Sequence, residues 1–428
     1  MPRGRTALVA TIFALLHCQS TDPPSEPPGG LDASLDTSPP EVTDAALADV
    51  AVADVTDVAR EDGSTDGASP LDAKVDAAPP FRCPARTGAT KPADVRVDVL
   101  ATGLKSPWSL AFLPNGDLLF TERDGALRLL RKSGTLEPLP IPGGPATVNA
   151  YQGGYLGLAI HPDFAQKPFV YLAYARLFPG DLSPVGIRIS RFRWDREALT
   201  DEKPLLDGPH EDDTAANAGG RIAFGPDKAL YATLGDRHYN PQVQRLDNLY
   251  GKIVRIADDG TIPTDNPFFS TPGARKEIFT YGHRNAQGLA FRPGTLELYS
   301  SEHGAVDGDE INRIEAGKNY GYPILEKDAS APGMVTPLVE LTPAIAPSGA
   351  AFYASATIAE WCGDLFVAGL ISQKILRVHL PTSGAPVLES LFEYEFGRIR
   401  DVAQGPDGYL YFVEDHPTAG KLLRVVPK

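Results

Sequence analysis

A short recurring pattern limits the folds open to this chain more than any other feature. The pattern is degenerate: an apolar triplet, a turn built on Pro, Asp or Asn and Gly, a second apolar strand and a charged end. The copies lie roughly 50 to 65 residues apart and begin at Ser109, Leu156, Gly220, Gly288, Gly349 and Arg400. Repeats of this size are typical of four-stranded blades, whose radial closure protects the sheet edges. The sequence therefore predicts an all-β, six-bladed β-propeller over residues 81–428.

The first 18 residues predict an export signal. Residues 1–18 combine two basic residues, an apolar run and Cys18, as in a secretory signal peptide of the lipoprotein type. The apolar run is too short to span a bilayer comfortably. His17 stands where such signals prefer a small residue, so plain secretion is the alternative to a lipid anchor on Cys18. We expect an exported protein, periplasmic or on the outer surface, that meets a membrane through this anchor alone.

Residues 19–80 predict a disordered acidic spacer. They carry −12 of the formal net charge of −15, and they contain no aromatic side chain. Such a segment cannot bury enough apolar surface to offset its chain entropy. It is either a tether that holds the folded domain off a membrane or a solubilising tail. Residues 81–428 carry only −5, so we expect no basic face for nucleic acid.

Two cysteines remain for the folded domain if Cys18 carries a lipid. An even number of cysteines in an oxidising compartment favours a disulfide, which here would join Cys83 to Cys362. That bridge would tie the segment before the first blade to a late blade. Two unpaired buried thiols are the alternative.

The most specific motifs lie between Tyr281 and Pro323. In chain order they read H-R-N-A-Q-G-L-A-F, E-H-G, G-D-E-I-N and G-K-N-Y-G-Y-P. Together they resemble the soluble PQQ-dependent aldose dehydrogenases of the glucose/sorbosone type, which are six-bladed β-propellers. The resemblance covers the chain from Val97 to Val426. It implies an enzyme that uses PQQ and Ca²⁺, oxidises an aldose at C1 to a lactone and passes the electrons to an unidentified acceptor.

The resemblance also implies a cofactor site. PQQ is a tricarboxylate ortho-quinone, and guanidinium groups suit carboxylates. The i, i+2 spacing of Arg398 and Arg400 places both on one face of a strand. By resemblance the cofactor-binding residues are Gln152, Arg284, Asn285, Ser348, Gly349, Arg398 and Arg400. The alternatives are a solvated pair of edge arginines and, at Gln152, a plain strand-entry turn.

The same resemblance places a calcium site at Glu310 in G-D-E-I-N and at Tyr320 in G-K-N-Y-G-Y-P, the tyrosine through its backbone carbonyl. Calcium takes oxygen ligands and tolerates irregular geometry. Family members also use calcium at the quinone, where it polarises a carbonyl as a Lewis acid. The alternative for the acidic turn is a solvated loop.

One departure from the family pattern concerns catalysis. Asn217 stands where family members have the histidine that acts as general base. An amide has no titratable proton near neutral pH, and losing a general base costs about 10²–10⁴-fold in rate. His210, seven residues upstream, is a candidate substitute. His238, His283 and His303 are further candidates, each with a structural or surface role as the alternative.

Three functions follow from these features. The first is an exported, calcium- and PQQ-dependent sugar dehydrogenase. The second is a catalytically weakened propeller that binds PQQ, a glycan or a protein. Asn217 favours it, and so does the stretch after Tyr322, which lacks the aromatic that often covers the cofactor. The third is a calcium-dependent lactonase, which would need several carboxylate or amide ligands in the central channel; the sequence offers no such set.

Overall fold

The computed structural model describes residues 83, 93–179, 185–210, 216–325, 327 and 329–428. The predicted signal peptide and acidic spacer, residues 1–18 and 19–80, lie outside the described residues. Across the described ranges, no helix is both long and apolar enough to cross a membrane. The described part is built almost entirely of antiparallel β-strands, as the repeat pattern predicts.

The described residues form 23 strands and two single-turn helices. In chain order the strands are β1 (Val95–Leu104), β2 (Pro107–Phe112), β3 (Leu118–Glu122), β4 (Ala126–Leu130), β5 (Tyr155–Ile160), β6 (Phe169–Leu177), β7 (Val185–Asp195), β8 (Ala198–Asp207), β9 (Gly219–Phe224), β10 (Leu230–Leu234), β11 (Lys252–Ile256), β12 (Ile278–Tyr281), β13 (Asn285–Phe291), β14 (Leu298–His303), β15 (Asp309–Ile314), β16 (Val339–Leu341), β17 (Pro347–Phe352), β18 (Leu365–Gly369), β19 (Lys374–His379), β20 (Val387–Leu391), β21 (Ile399–Gln404), β22 (Leu410–Glu414) and β23 (Gly420–Pro427). The helices are α1 (Asn240–Val243) and a 3₁₀ turn (Ala359–Trp361).

These strands form six sheets within the described part of the chain. Blade 1 holds β2–β4, and blades 2, 3, 4 and 5 hold β5–β8, β9–β12, β13–β16 and β17–β20. Blade 6 holds β21–β23 and, as its outermost strand, β1. The first two strands of each blade are the predicted repeat unit. The first strands lie side by side in chain order and β2 contacts β21, so the ring closes and the six-bladed propeller is confirmed.

The ring is closed by hydrogen bonds between the two ends of the folded domain. Strand β1 pairs antiparallel with β23, from Val95 opposite Pro427 to Leu104 opposite Gly420. The sixth blade therefore needs both ends of the folded chain. Radial closure leaves only short, protected sheet edges, so the arrangement is limited to the six blades of one ring.

The core consists of apolar layers between neighbouring blades. Six buried clusters in the described part each join one blade to the next, and one of them joins blade 6 to blade 1. Strands β3, β10, β18 and β22 are buried at every residue. A strand covered on both faces reads as a continuous apolar run, which explains the second apolar strand of each repeat.

A disulfide joins Cys83 to Cys362, whose Cα atoms are 5.5 Å apart and which lie 279 positions apart in the chain. This separation of Cα atoms is ordinary for a disulfide. Cys362 lies between β17 and β18, so the bridge attaches the segment before β1 to blade 5. Of the two arrangements that the sequence left open, the structure has the bridge.

The Cys83→Ser, Cys362→Ser double variant is expected to lose about 2–5 kcal/mol of stability, because the bridge restricts a long loop in the unfolded chain. Denaturant unfolding of the variant and of the wild-type protein measures the difference. Cys18→Ser removes a cysteine without touching the bridge and is the control. Equal unfolding midpoints for the double variant and the wild type would contradict this expectation.

Candidate active site

A cavity of about 340 Å³ opens where strand ends from all six blades meet. Its volume is within the usual range for small-molecule sites. Thirteen of the described residues line it: Ser106, Trp108, Arg123, Tyr151, Gln152, Gly219, Gln287, His303, Leu370, Arg398, Arg400, Asp415 and Pro417. The structure therefore brings together Gln152, Arg398 and Arg400, three of the residues that the sequence assigned to cofactor binding.

Four lining residues occupy equivalent positions in their repeats. Arg123, His303, Leu370 and Asp415 each end or directly follow the second strand of a blade. Because the second strands of all blades run in the same sense around a propeller, their ends meet on one face. The charged end of the repeat was therefore a signal for Arg123 and Asp415, which the sequence analysis did not assign to the site. The sequence carried no comparable signal for Trp108.

The cavity is positively charged. Arg400 binds Asp415, with Nη2 and Oδ2 2.6 Å apart. Burial alone would raise the pKa of Asp415, but Arg400 holds it below its usual value. Burial and the neighbouring Arg400 lower the pKa of both Arg123 and Arg398. Three guanidinium groups face one carboxylate among the described lining residues, so the cavity favours an anionic ligand.

Arg123 fixes the turn that carries Gln152. Its Nε donates to the Gly153 carbonyl at 2.9 Å, and its Nη2 donates to the Tyr151 carbonyl. Gly154 has a φ of +106°, and a Cβ there would overlap the backbone of Arg123. The glycines after Gln152 thus let this turn pack closely against blade 1, and Gln152 is presented to the cavity.

Arg284 and Asn285 lie beside the cavity, at the start of β13. Nη1 of Arg284 lies 3.5 Å from the His303 carbonyl oxygen. Oδ1 of Asn285 accepts hydrogen bonds from the Gly219 backbone N–H at 3.1 Å and from Gln287 Nε2 at 3.0 Å. Its Nδ2 is buried and has no partner among the described residues. Asn285 therefore positions the lining residues Gly219 and Gln287, and its Nδ2 remains available as a hydrogen-bond donor.

His303, the last residue of β14, is the histidine of the described lining. Its Nε2 lies 2.8 Å from the carbonyl oxygen of Pro347. Burial and then Arg400 lower the pKa of His303 to about 3, and Arg284 and Arg398 act in the same direction. The imidazole is therefore neutral throughout the neutral pH range.

A buried ion pair crosses the propeller axis next to the cavity. It joins Arg221 on β9 in blade 3 to Asp401 on β21 in the opposite blade 6, with Nη1 and Oδ2 3.1 Å apart. Each side chain is only 6 % exposed. The guanidinium carbon lies 4.0 Å from the ring centre of Trp108, which lines the cavity. The ion pair therefore links opposite blades and contacts the lining of the cavity through the indole.

Ser348 and Gly349, assigned by the sequence to the cofactor, lie on β17 and outside the described cavity lining. The Ser348 carbonyl accepts a hydrogen bond from Ser301 Oγ at 2.6 Å. Gly349 packs against Asp401, where any Cβ would overlap Oδ1 of the carboxylate. In this structure Gly349 makes room for the axial ion pair. A cofactor role for the two residues stays a prediction.

The profile of the glucose/sorbosone dehydrogenase family matches residues 104–424, a range that includes strands of all six blades. The chain belongs to this family. Aldose sugar dehydrogenase YliI of Escherichia coli (strain K12) is 36 % identical over 353 residues, which are 79 % of this chain and 94 % of that protein. The resemblance inferred from the motifs is confirmed.

The names of two further relatives refer to a quinone cofactor. Quinoprotein glucose dehydrogenase B of Acinetobacter calcoaceticus is 35 % identical over 254 residues, which are 53 % of this chain and 52 % of that protein. The PQQ-bound form of aldose sugar dehydrogenase from Streptomyces coelicolor superposes with a TM-score of 0.66 at 33 % identity. That match covers 78 % of this chain and 99 % of the solved chain.

In this member of the family, Asn217 lies buried just before β9. It has a left-handed φ of 41°, which asparagine tolerates better than most residues. Its Nδ2 donates to Oδ1 of Asp236 at 2.9 Å. Oδ2 of Asp236 is buried without a hydrogen bond in the described part of the chain. Asn217 is therefore held by a carboxylate and stands outside the described lining of the cavity.

The other candidate histidines, His210, His238 and His283, lie in three different environments. His210 stacks on Phe178, with ring centres 4.2 Å apart. His238 is exposed. His283 is buried, and its Nδ1 lies 2.9 Å from Oε2 of Glu302. None of these three lies in the described lining, and the substitute role of His210 stays a prediction.

Glu310 and Tyr320 occupy blade 4 and are outside the described lining. Glu310 on β15 stands in register between Glu302 on β14 and Glu340 on β16. Burial and then Glu302 raise the pKa of Glu310 to about 8, and Glu340 adds to the effect. Tyr320 is buried, and its hydroxyl donates to the Arg313 carbonyl at 2.7 Å. Within the described ranges, no three His, Cys, Asp or Glu side chains group as a metal centre.

Proposed function

We propose that this chain is a PQQ-dependent dehydrogenase that oxidises aldose sugars at C1 to lactones. The observation that carries the proposal is the cavity lined by Arg123, Arg398 and Arg400 with one opposing carboxylate. A flat tricarboxylate offers one anionic group for each guanidinium, and charge-assisted Arg–carboxylate hydrogen bonds are among the strongest in proteins. The relatives named for quinone or PQQ binding support the same cofactor.

The residues present fit such a cofactor. Gln152 lines the cavity and would supply an amide hydrogen bond. The buried Nδ2 of Asn285, beside the cavity, has no partner among the described residues and would supply a second donor. Trp108 adds an aromatic side chain to the lining. When bound, PQQ would supply the oxidising quinone that accepts a hydride. The protein would hold its carboxylates, orient the ring and position the sugar's C1 hydroxyl.

A catalytically weakened propeller is the second candidate, and Asn217 is the observation that favours it. Its amide is bound to Asp236 and cannot take a proton at neutral pH. Such a protein would bind PQQ and turn over sugar slowly.

Reconstitution of the purified protein with PQQ and Ca²⁺ tests both candidates. Quinone absorbance and binding titration report the cofactor, and aldose oxidation with an artificial electron acceptor reports turnover. Turnover by the wild-type protein supports the dehydrogenase. PQQ binding with turnover only in Asn217→His supports the weakened propeller. A protein that binds no PQQ has neither function, and a lactonase would then be assayed directly.

We also propose a calcium ion at Glu310 and the Tyr320 carbonyl. The three glutamates in register place negative charge side by side, and a divalent cation would relieve the repulsion that raises the pKa of Glu310. Because no three acidic or histidine side chains group in the described part, backbone carbonyl and water oxygens would complete the coordination.

Glu310→Gln is expected to abolish the stabilisation of the protein by calcium, measured as the shift of Tm between calcium and EDTA. At calcium concentrations near 100 times Kd, the wild type should gain about 2–3 kcal/mol.

Without calcium, the raised pKa means that folded Glu310 holds its proton more tightly than in the unfolded chain. It therefore costs stability as the pH rises from about 5 to 8, and Glu310→Gln should remove that cost. Glu395→Gln, at an exposed site, is the control; an unchanged calcium shift in Glu310→Gln would exclude this site.

We further propose that the protein is exported and lipid-anchored through Cys18, and that an unidentified acceptor outside the cytoplasm reoxidises the cofactor. The Cys83–Cys362 disulfide supports an oxidising compartment. Cys18→Ser should move the protein from the membrane fraction to the soluble fraction and end incorporation of labelled fatty acid. A soluble wild-type protein in the exported fraction would instead indicate plain secretion.

A further inference from the structure

His303 combines three features that a general base needs. It lies in the described lining of the cavity, at the end of β14. Its Nε2 lies 2.8 Å from the Pro347 carbonyl, which can only accept a hydrogen bond, so Nε2 carries the proton. Nδ1 therefore holds the lone pair, and it makes no hydrogen bond within the described part of the chain. The backbone of blade 5 thus selects the tautomer in which Nδ1 can receive a proton.

The charges around His303 keep it neutral. Arg400, Arg284 and Arg398 face the ring from blades 6 and 4, and each disfavours the imidazolium. Asp415 is bound to Arg400 and offsets only part of this charge. An anion that binds these guanidinium groups would reduce the positive charge facing the ring. The proton affinity of His303 should therefore rise when a carboxylate-bearing cofactor binds.

We propose that His303 is the general base of this protein, in place of the histidine that Asn217 replaces. This inference rests on the proposed function. Nδ1 accepts the proton of the sugar's C1 hydroxyl as the O–H bond breaks. As the C1–H bond breaks, bound PQQ would accept its hydrogen and electron pair as hydride, while C1 and its oxygen become the lactone carbonyl. The quinone would thereby take up the two electrons that the sugar loses.

Asn217 cannot compete for this role. Its Nδ2 donates to Asp236, and it lies outside the described lining of the cavity. The basicity of His303 also depends on the cofactor. It is low in the cofactor-free protein, and it rises when the carboxylates of the cofactor bind the neighbouring guanidinium groups. Binding and catalytic competence are then coupled through the guanidinium groups.

The test uses His303→Gln in the full-length protein, because glutamine can still donate to the Pro347 carbonyl. We expect kcat to fall by about 10²–10⁴-fold, while the Kd for PQQ and the Tm stay close to the wild-type values. The low-pH limb of the kcat profile should disappear in the variant. His379→Gln, which alters a histidine on β19 outside the described lining, is the control and should leave kcat unchanged.

A second measurement does not depend on activity. The His303 imidazole resonance, assigned by its loss in His303→Gln, is titrated with and without PQQ. We expect the pKa of His303 to rise by at least one unit when PQQ binds. Wild-type turnover that His303→Gln retains, or an imidazole titration that PQQ does not move, would overturn the proposal. PQQ binding without wild-type turnover, restored by Asn217→His, would also overturn it while leaving cofactor binding intact. Absence of PQQ binding would instead overturn the proposed function itself.

Discussion

Asp401→Ala is expected to destabilise the propeller by about 3–5 kcal/mol, the largest loss that we expect from one side chain. The carboxylate accepts from Arg221 across the propeller axis and from the Leu110 backbone N–H at 2.9 Å. Removing it leaves the Arg221 guanidinium buried, with only neutral partners such as the Gln287 carbonyl at 2.8 Å. An uncompensated buried charge costs far more than the lost attraction.

Denaturant unfolding measures the effect of Asp401→Ala. The matched comparison is the double variant Asp401→Ala, Arg221→Met, which removes both charges and should recover part of the loss. Asp195→Ala, which loses an exposed carboxylate, controls for the substitution itself and should stay within about 0.5 kcal/mol of the wild type. If the single variant is as stable as this control, the axial pair does not hold blades 3 and 6 together.

Arg398→Met is expected to weaken PQQ binding by about 100-fold or more, roughly 3 kcal/mol. The Arg398 side chain has no hydrogen bond among the described residues, and burial, followed by the neighbouring Arg400, lowers its pKa. Its charge is therefore available to a ligand carboxylate. Because the substitution removes one of two neighbouring positive charges, the stability of the cofactor-free protein should stay the same or rise slightly.

Titration of quinone absorbance gives Kd, and thermal unfolding without PQQ gives the stability. Arg398→Lys keeps the charge but loses the fork of donors, so it should bind with intermediate affinity. Arg196→Met, at a site 91 % exposed, is the control for removing an arginine. Unchanged PQQ affinity in Arg398→Met would show that this guanidinium does not hold the cofactor.

Much of the fold could be predicted from the sequence because the features that define a blade are local. Strand alternation and turn chemistry act over a few residues, so six copies of strand, turn and strand predicted six blades. The order of the motifs also led to the family and to Gln152, Arg398 and Arg400 as residues of the cavity. The pairing of β1 with β23 was not predicted, because it joins residues more than 300 positions apart.

The sequence by itself determined the blades, their number, the family and part of the cation-rich site. The tertiary structure decided which charged strand ends share a cavity, and it placed Arg123, His303 and Asp415 there while leaving His210 and Asn217 outside the described lining. It also decided that Gly349 makes room for an ion pair between opposite blades. The physical reason is radial closure: the residues that meet at the axis come from every blade, and their distances depend on how the whole ring packs.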